Sequence, residues 1–510
     1  MKWRNEIKQL WPFIIIGIMS FYFFTKQCPI PLLGDQLIYG TIIERLQHPE
    51  WLANDPLYGI KDIYLPLNLG IFFFSLLTKY LPPIEIGIIY GLTIIMFFYL
   101  VCSYKVFYNI SKSSCFSLAL SLLSALPIWM PGSTLWGIGL SDTFLSRTLF
   151  LPLVPIFFYF FLKMANYPTK KKVIFFYTLL GLAAYIHQIS SVYLFLTFWV
   201  SLLIIRPKLI ILHFISLICW LIPLIPYLVY HFYHVLIHPS VMSIPPSILQ
   251  KWIEIRYSWA FNPVIGRETF NFLVQNPILI AILCIVPLLF KKEKYIIYLK
   301  VVIISLIFVV LSLYWIQYFL FNNFHIPFKF VELGRGLRFL PFIAFLLLSY
   351  IWNEIKVYFS SESVSIGISV CLLIFAGFMF ISKYALLNLK YAKISGFTCN
   401  DSIFKKINTL SPNILIATDE INNLRYCSKH SVYVIFKDGA VAFYNGQEQF
   451  VKWIKRFILN KKFFETGDST LLTAMKNQGV THIFTKREFS QSELEKIYCS
   501  SNYCLYKIKK

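Results

Sequence analysis

The chain has 510 residues, of which 57% are hydrophobic and only 14% charged, with 50 Phe and 32 Tyr. Soluble domains carry about 25% charged residues, so an ordinary soluble class is excluded. The net charge of +23 does not point to nucleic acid, because the basic residues form no single patch and fall instead in clusters between apolar stretches, the positive-inside pattern of a membrane protein.

The first apolar stretch, 10–26, follows Lys2, Arg4 and Lys8, which set the N-terminus in the cytoplasm. Met1-Lys2-Trp3-Arg4 mimics a signal peptide, but no small-residue cleavage site follows Phe24, so the stretch reads as a retained helix. An outer loop, 27–83, comes next. It opens with Gly34-Asp35-Gln36 and continues through a half-polar helical stretch, Gln36 to Gln47, to Asn54-Asp55-Pro56. The apolar stretch 65–81 is short and flanked by Pro66 and Pro82-Pro83. It is expected to lie in or dip into the outer interface, with a full span, giving twelve, as the alternative.

Beyond it, Lys105 and Lys112, then Lys163 and Lys170 to Lys172, Arg206 and Lys208, Lys291, Lys292 and Lys294, and finally Lys356 mark inside loops. Threading spans between these clusters predicts about eleven helices, near 10–26, 84–104, 113–131, 146–163, 173–189, 190–205, 209–232, 271–290, 297–320, 339–355 and 363–385. The membrane part is then 1–388, and an odd count puts the rest outside. Residues 389–510 hold no long apolar run and read as a small α/β domain. A strand is expected at Asn413 to Ala417, and a hairpin at 432–436 and 441–444 around Lys437-Asp438-Gly439. A helix is expected from Gln447 to Leu459, with further strands at Thr481 to Phe484 and Cys504 to Tyr506. The fold class is an α-helical polytopic membrane protein with a small C-terminal α/β domain.

The ten Cys show no metal-ligand spacing. Cys499 and Cys504 can pair with each other or with Cys399, or the thiols stay free; spacing leaves the pairing open.

This topology gathers ionisable residues on the outer side. The first loop carries Asp35, Glu44, His48, Asp55 and Asp62, and the second ends in Asp142 with Arg147 just after. His187 closes the fifth span, the loop 233–270 carries His234, Glu254 and Arg256, and the loop 321–338 carries Arg335 and Arg338. Charged groups at membrane depth cost several kcal/mol, about 2.5–3.5 on insertion scales, and so point to function. Acids and arginines converging on one face suit a site where an anionic lipid headgroup meets a hydroxyl or amide nucleophile.

The chain resembles the GT-C superfamily of polytopic membrane glycosyltransferases. Gly34-Asp35-Gln36 matches the catalytic acid of the first outer loop, Asp142 is a looser match to a second acid, and the terminal domain matches the soluble domain after the last span. A bacterial group within the superfamily shares an Asp-Gln early in the first loop, a later Asn-Asp (Asn54-Asp55), a His in the middle spans (His187) and an Arg-rich start to a late span, Gly334-Arg335-Gly336-Leu337-Arg338-Phe339. Many members pair acids in the first loop, whereas Gln36 follows Asp35 here, so no metal is assigned and a divalent ion stays open.

The resemblance implies a polyprenyl-phosphate-linked sugar as donor, transfer with inversion at the outer face, and a glycan, lipid or protein as acceptor. It makes Asp35 the general base, with Asp142 as second catalytic acid. Arg335 and Arg338 hold the donor phosphate, and Gln36, Asp55 and His187 bind or orient substrate. The compartment implied is a bacterial inner membrane, with the terminal domain periplasmic or extracellular.

Each residue also has an ordinary structural use. Asp35 and Asp142 can cap helices, Asp55-Pro56 can be a turn, His187 a satisfied polar group, and the arginines interface anchors. A transporter or flippase of lipid-linked glycan, or a non-catalytic GT-C relative, is the alternative reading. Against the transporter stands the absence of paired, broken halves.

Overall fold

The structure, a computed structural model, describes residues 2–27, 35–48, 50–60, 69–81, 84–130, 134–140, 146–230, 245, 247–248, 276–290, 293–324, 336–359, 361–392, 399, 401–419, 423–500 and 502–509. It is mostly helical. The membrane part contains α1 (Lys2–Gln27), α2 (Asp35–Gln47), α3 (Leu69–Tyr80), α4 (Ile84–Ser111), α5 (Ser114–Ala125), α6 (Ser146–Phe150), α7 (Leu153–Asn166), α8 (Lys170–Leu182), α9 (Gln188–Ile205), α10 (Ile210–Leu221), α11 (Pro277–Leu289), α12 (Lys294–Phe324), α13 (Leu340–Ile355) and α14 (Glu362–Ala392).

Among the described residues, 7 helices are long and apolar enough to cross a membrane, and shorter apolar helices lie at Leu69–Tyr80, Ser114–Ala125, Leu153–Asn166 and Pro277–Leu289. The chain is an integral membrane protein. The stretch read as interfacial forms α3, whose 12 residues extend about 18 Å, short of a hydrocarbon core of about 30 Å. The expected span 113–131 is cut short. Pro127 follows the end of α5, and the chain turns into a hairpin of β1 (Ile128–Met130) and β2 (Thr134–Trp136). After β2, Gly137 lets the chain return against the end of α5: its φ is +84°, and a Cβ there would sit 2.3 Å from the Leu126 carbonyl oxygen.

Several hydroxyl groups between α4 and α5 pair helix to helix. Ser103 Oγ and Ser121 Oγ are 2.7 Å apart across α4 and α5, and Tyr99 donates to the Ser124 carbonyl at 3.1 Å. Tyr384 of α14 donates to the Ile138 carbonyl at 2.5 Å.

The bundle has two chemically distinct ends. At one, Lys356 Nζ donates to the Ser111 carbonyl at 2.9 Å, and Arg206, just past the end of α9, donates to Tyr298 Oη at 3.3 Å beside Lys294, the first residue of α12. At the other, Asn388 near the end of α14 donates to the Lys26 carbonyl of α1 at 2.6 Å, and the C-terminal domain follows. The expected inside loops therefore share one end, and the first loop and terminal domain share the other.

The C-terminal domain contains α15 (Ser402–Ile407), β3 (Leu415–Thr418), α16 (Leu424–Ser428), β4 (Ser431–Val432), α17 (Gly439–Tyr444), α18 (Gln447–Thr466), α19 (Ser469–Lys476), β5 (His482–Thr485), β6 (Leu494–Cys499) and β7 (Cys504–Ile508). Its five-stranded sheet has the order β4-β3-β5-β7-β6. β3 runs parallel to β4 and β5, and β7 is antiparallel to β5 and β6. The expected strands at 413–417, 481–484 and 504–506 and the helix from Gln447 are present. The hairpin at 432–444 is not: only Ser431–Val432 is strand, and Gly439–Tyr444 is helix. Gly439 serves close packing here, since a Cβ would lie 2.5 Å from the Trp453 ring, and Asp438 turns inward to a buried arginine. Cys399 pairs with Cys427, and Cys499 with Cys504.

Candidate functional site

The first group of site residues lies at the end of the bundle that carries the terminal domain. His187 is the N-cap of α9: its Nδ1 accepts from the Ser190 backbone N–H at 3.1 Å and lies 2.5 Å from Ser190 Oγ. A ring nitrogen that accepts from a backbone N–H holds a lone pair, so the neutral ring's proton sits on Nε2.

Arg338 enters this corner from the turn before α13. Its guanidinium donates to Ser190 Oγ, stands 3.5 Å from His187 Nδ1 and lies over the Phe339 ring at 5.1 Å. The residue is 2% exposed. Gly336 brings it there. A Cβ on Gly336 would be 2.4 Å from Val310 Cγ2 and 2.8 Å from the Tyr193 ring, so this turn packs against α12 and α9 only without a side chain. Phe150 closes the corner, its ring 6.4 Å from that of His187. A planar cation beside a neutral imidazole and a hydroxyl offers donors in a fixed fork, the geometry that phosphate oxygens accept.

The second group joins the first loop to the terminal domain. Asp55 is 3% exposed. Its Oδ1 accepts from the Leu57 and Tyr58 backbone N–H groups at 3.0 Å each, and its Oδ2 from the Val432 N–H at 3.0 Å and Arg425 Nε at 2.8 Å. Arg425 also forks onto Asp438, Nη1 to Oδ1 at 2.9 Å and Nη2 to Oδ2 at 2.8 Å, and lies over the Tyr58 ring at 4.7 Å. Burial pushes the Asp438 carboxyl above its ordinary range, and the Arg425 charge pulls it back. At the rim, Lys429 meets Glu44 at 2.8 Å and covers the Trp51 ring at 4.4 Å, while Asn54 donates to Asn413 at 2.9 Å. Asp55, expected at the acceptor, thus has both oxygens occupied and works as a buckle between loop and domain.

His187 and Arg338, 151 residues apart, are brought together. Asp35 opens α2, with Gln36 next, where the helix Gln36 to Gln47 was expected. Their side chains, Asp142 and Arg335 lie outside the described residues. Sequence reasoning missed Ser190, Arg425 and Asp438. Arg425 stands two residues before a half-cystine and Lys437-Asp438-Gly439 reads as a turn, so nothing in their spacing links them to Asp55. Among the described residues, the one cluster with metal-ligand atoms in reach is Glu488 with Cys499 and Cys504. Both sulfurs are in a disulfide, which removes them as ligands.

No protein-family model matches the chain, and no curated protein matches it by sequence. Solved structures do. The crystal structure of ArnT from Cupriavidus metallidurans bound to undecaprenyl phosphate superposes with a TM-score of 0.55 at 11% identity, covering 98% of this chain and 98% of that one. The same protein in the apo state gives a TM-score of 0.46 at 11% identity, covering 99% and 98%. Over nearly its whole length, bundle and terminal domain together, the chain has the fold of ArnT.

Proposed function

We propose that this chain is a membrane glycosyltransferase. It moves a sugar from a polyprenyl-phosphate-linked donor to a glycan, lipid or protein acceptor, at the membrane face carrying the first loop and the terminal domain. The carrying observation is Arg338, a buried guanidinium set beside His187 and Ser190 at that end of a bundle with the ArnT fold. ArnT was solved with undecaprenyl phosphate bound, and this fold supports a lipid-phosphate donor here.

In this reading Arg338, with Arg335 immediately before Gly336, neutralises the phosphate that leaves as the sugar's anomeric carbon is attacked. Asp35 takes the proton of the attacking hydroxyl or amide, and attack opposite the leaving phosphate inverts the anomeric carbon. A carboxylate partly desolvated near lipid gains the basicity this needs. Asp142, Gln36 and His187 orient the acceptor or the base. Asp55 acts at a distance, holding the first loop against the terminal domain. The compartment is the bacterial inner membrane, with the terminal domain outside the cytoplasm. Its two disulfides support an oxidising surrounding.

The test compares cell-envelope glycans from cells carrying the wild-type chain, Asp35→Ala, Arg338→Gln or no copy, at matched membrane levels. A glycan feature lost in both variants and in the null is the expected result. If Asp35→Ala keeps the feature that the null loses, Asp35 is a helix cap and the transferase reading falls.

A further inference from the structure

The basic end of the bundle, opposite His187 and Arg338, contains a cleft of about 710 Å³ between the ends of α7, α9 and α12. Its cations are Arg206, Lys208 and Lys294, and Asn166, Tyr167 and Thr169 complete the polar wall. Arg206 is fixed in place. Its Nε donates to the Ala165 carbonyl at 3.1 Å, and its Nη2 donates to the Asn166 carbonyl at 2.9 Å and to Tyr298 Oη at 3.3 Å. Lys294 is steered by two rings, lying 5.7 Å over Tyr167 and 5.9 Å over Tyr298. The nearby carboxylate, Glu293, faces the backbone at the start of α12, where it accepts from the Tyr295 N–H at 2.5 Å, and it does not line the cleft. The cleft is therefore a cationic cavity with no acidic side chain in its described wall.

We propose that this cleft binds the headgroup of an anionic phospholipid of the leaflet at that end. The ligand chemistry is a phosphodiester. Arg206 is held in one geometry before the ligand arrives, so little side-chain freedom is lost on binding. The apolar surface beside the cleft argues for a lipid as the source of the phosphate. Ile210, Ile211 and Phe214 of α10, next to Lys208, are 63%, 70% and 64% exposed on a helix that crosses the membrane, so acyl chains can run along the face below the headgroup. Basic pockets between helix ends at a membrane surface bind such headgroups through each nearby cation.

The experiment uses the full chain, purified in detergent and stripped of lipid, with binding read by native mass spectrometry. The probes are dioleoyl phosphatidylglycerol, dioleoyl phosphatidylcholine and inorganic phosphate. The wild type is expected to prefer the anionic lipid. Lys208→Gln with Lys294→Gln, both exposed positions, should weaken that lipid roughly thirty-fold without changing the zwitterionic one. Lys208→Arg with Lys294→Arg should keep the preference. Equal binding of the two lipids by the wild type, or an unchanged preference in the Gln variant, overturns the site. Competition by inorganic phosphate at the lipid's own concentration overturns the lipid as its source.

Discussion

Removing the guanidinium from the buckle is the sharpest test of how the first loop is held. Arg425 is 3% exposed and serves two carboxylates, Asp55 at 3% and Asp438 at 1%. In Arg425→Ala, Asp55 keeps the backbone N–H groups of Leu57, Tyr58 and Val432, so most of the damage falls on Asp438. Breaking a buried ion pair by deleting one partner costs about 3–5 kcal/mol.

The cost depends on pH, and the sign follows from Asp438. Its carboxyl is already raised by burial, and losing Arg425 raises it further. A folded value above the unfolded one, about 3.9, means that stability falls as pH rises through the folded value. The deficit of Arg425→Ala therefore shrinks as pH falls and Asp438 takes up a proton, so it is larger at pH 8 than at pH 5.5. The assay is unfolding of the detergent-solubilised chain followed by tryptophan fluorescence at both pH values, with limited trypsin cleavage of the terminal domain alongside. Combining Arg425→Met with Asp438→Leu should recover at least half of the loss, since an apolar isostere leaves no buried charge. A deficit below about 1 kcal/mol at pH 8, or one just as large at pH 5.5, would refute the account.

Three further outcomes are expected. Gly336→Ala should cost about 1–3 kcal/mol through overpacking against Val310 and Tyr193, and should lower transfer by displacing Arg338, read as a reduced unfolding midpoint and reduced glycan. Replacing the Cys399–Cys427 pair, whose separation is 28, should cost more than replacing Cys499–Cys504, whose separation is 5. Loop-closure entropy gives about 3.6 against about 2.1 kcal/mol, and denaturant midpoints of the two double-Ser variants compare them. His482 is held down to about 4, mainly by burial and then by Lys507 and His430. A base with a depressed folded value contributes stability above its ordinary value near 6.5 that is lost as pH falls toward 4, on the order of 1 kcal/mol between pH 7 and 5. In His482→Phe, thermal scans across that range should show the loss removed.

The sequence by itself determined the membrane class, the relative placing of the loops and the existence of the terminal domain. These depend on composition and on local periodicity: Lys and Arg clusters mark one membrane side, and long apolar runs must form helices because lipid offers no partner for backbone groups. Helices stand at the expected positions as α1, α4, α5 and α7 to α14, but α5, α7 and α11 are shorter than a full span, and α3 is as short as the flanking prolines implied. The same reasoning singled out His187 and Arg338, because charge and polarity at membrane depth stand out against an apolar background.

Only the tertiary structure decided what those residues touch. Ser190 joins His187 to Arg338, but a serine in an apolar helix carries no local mark of that use. Asp55 reads as a turn or a substrate ligand until Arg425 arrives from 370 residues away. Lys437-Asp438-Gly439 has the local pattern of a hairpin turn, yet burying Asp438 against Arg425 and Gly439 under Trp453 outweighs that preference. Turn propensity is worth a fraction of a kcal/mol to about one, whereas leaving a buried arginine half-paired costs several. Pairings of this kind depend on groups far apart in the chain, and so they become visible only when the fold brings them together.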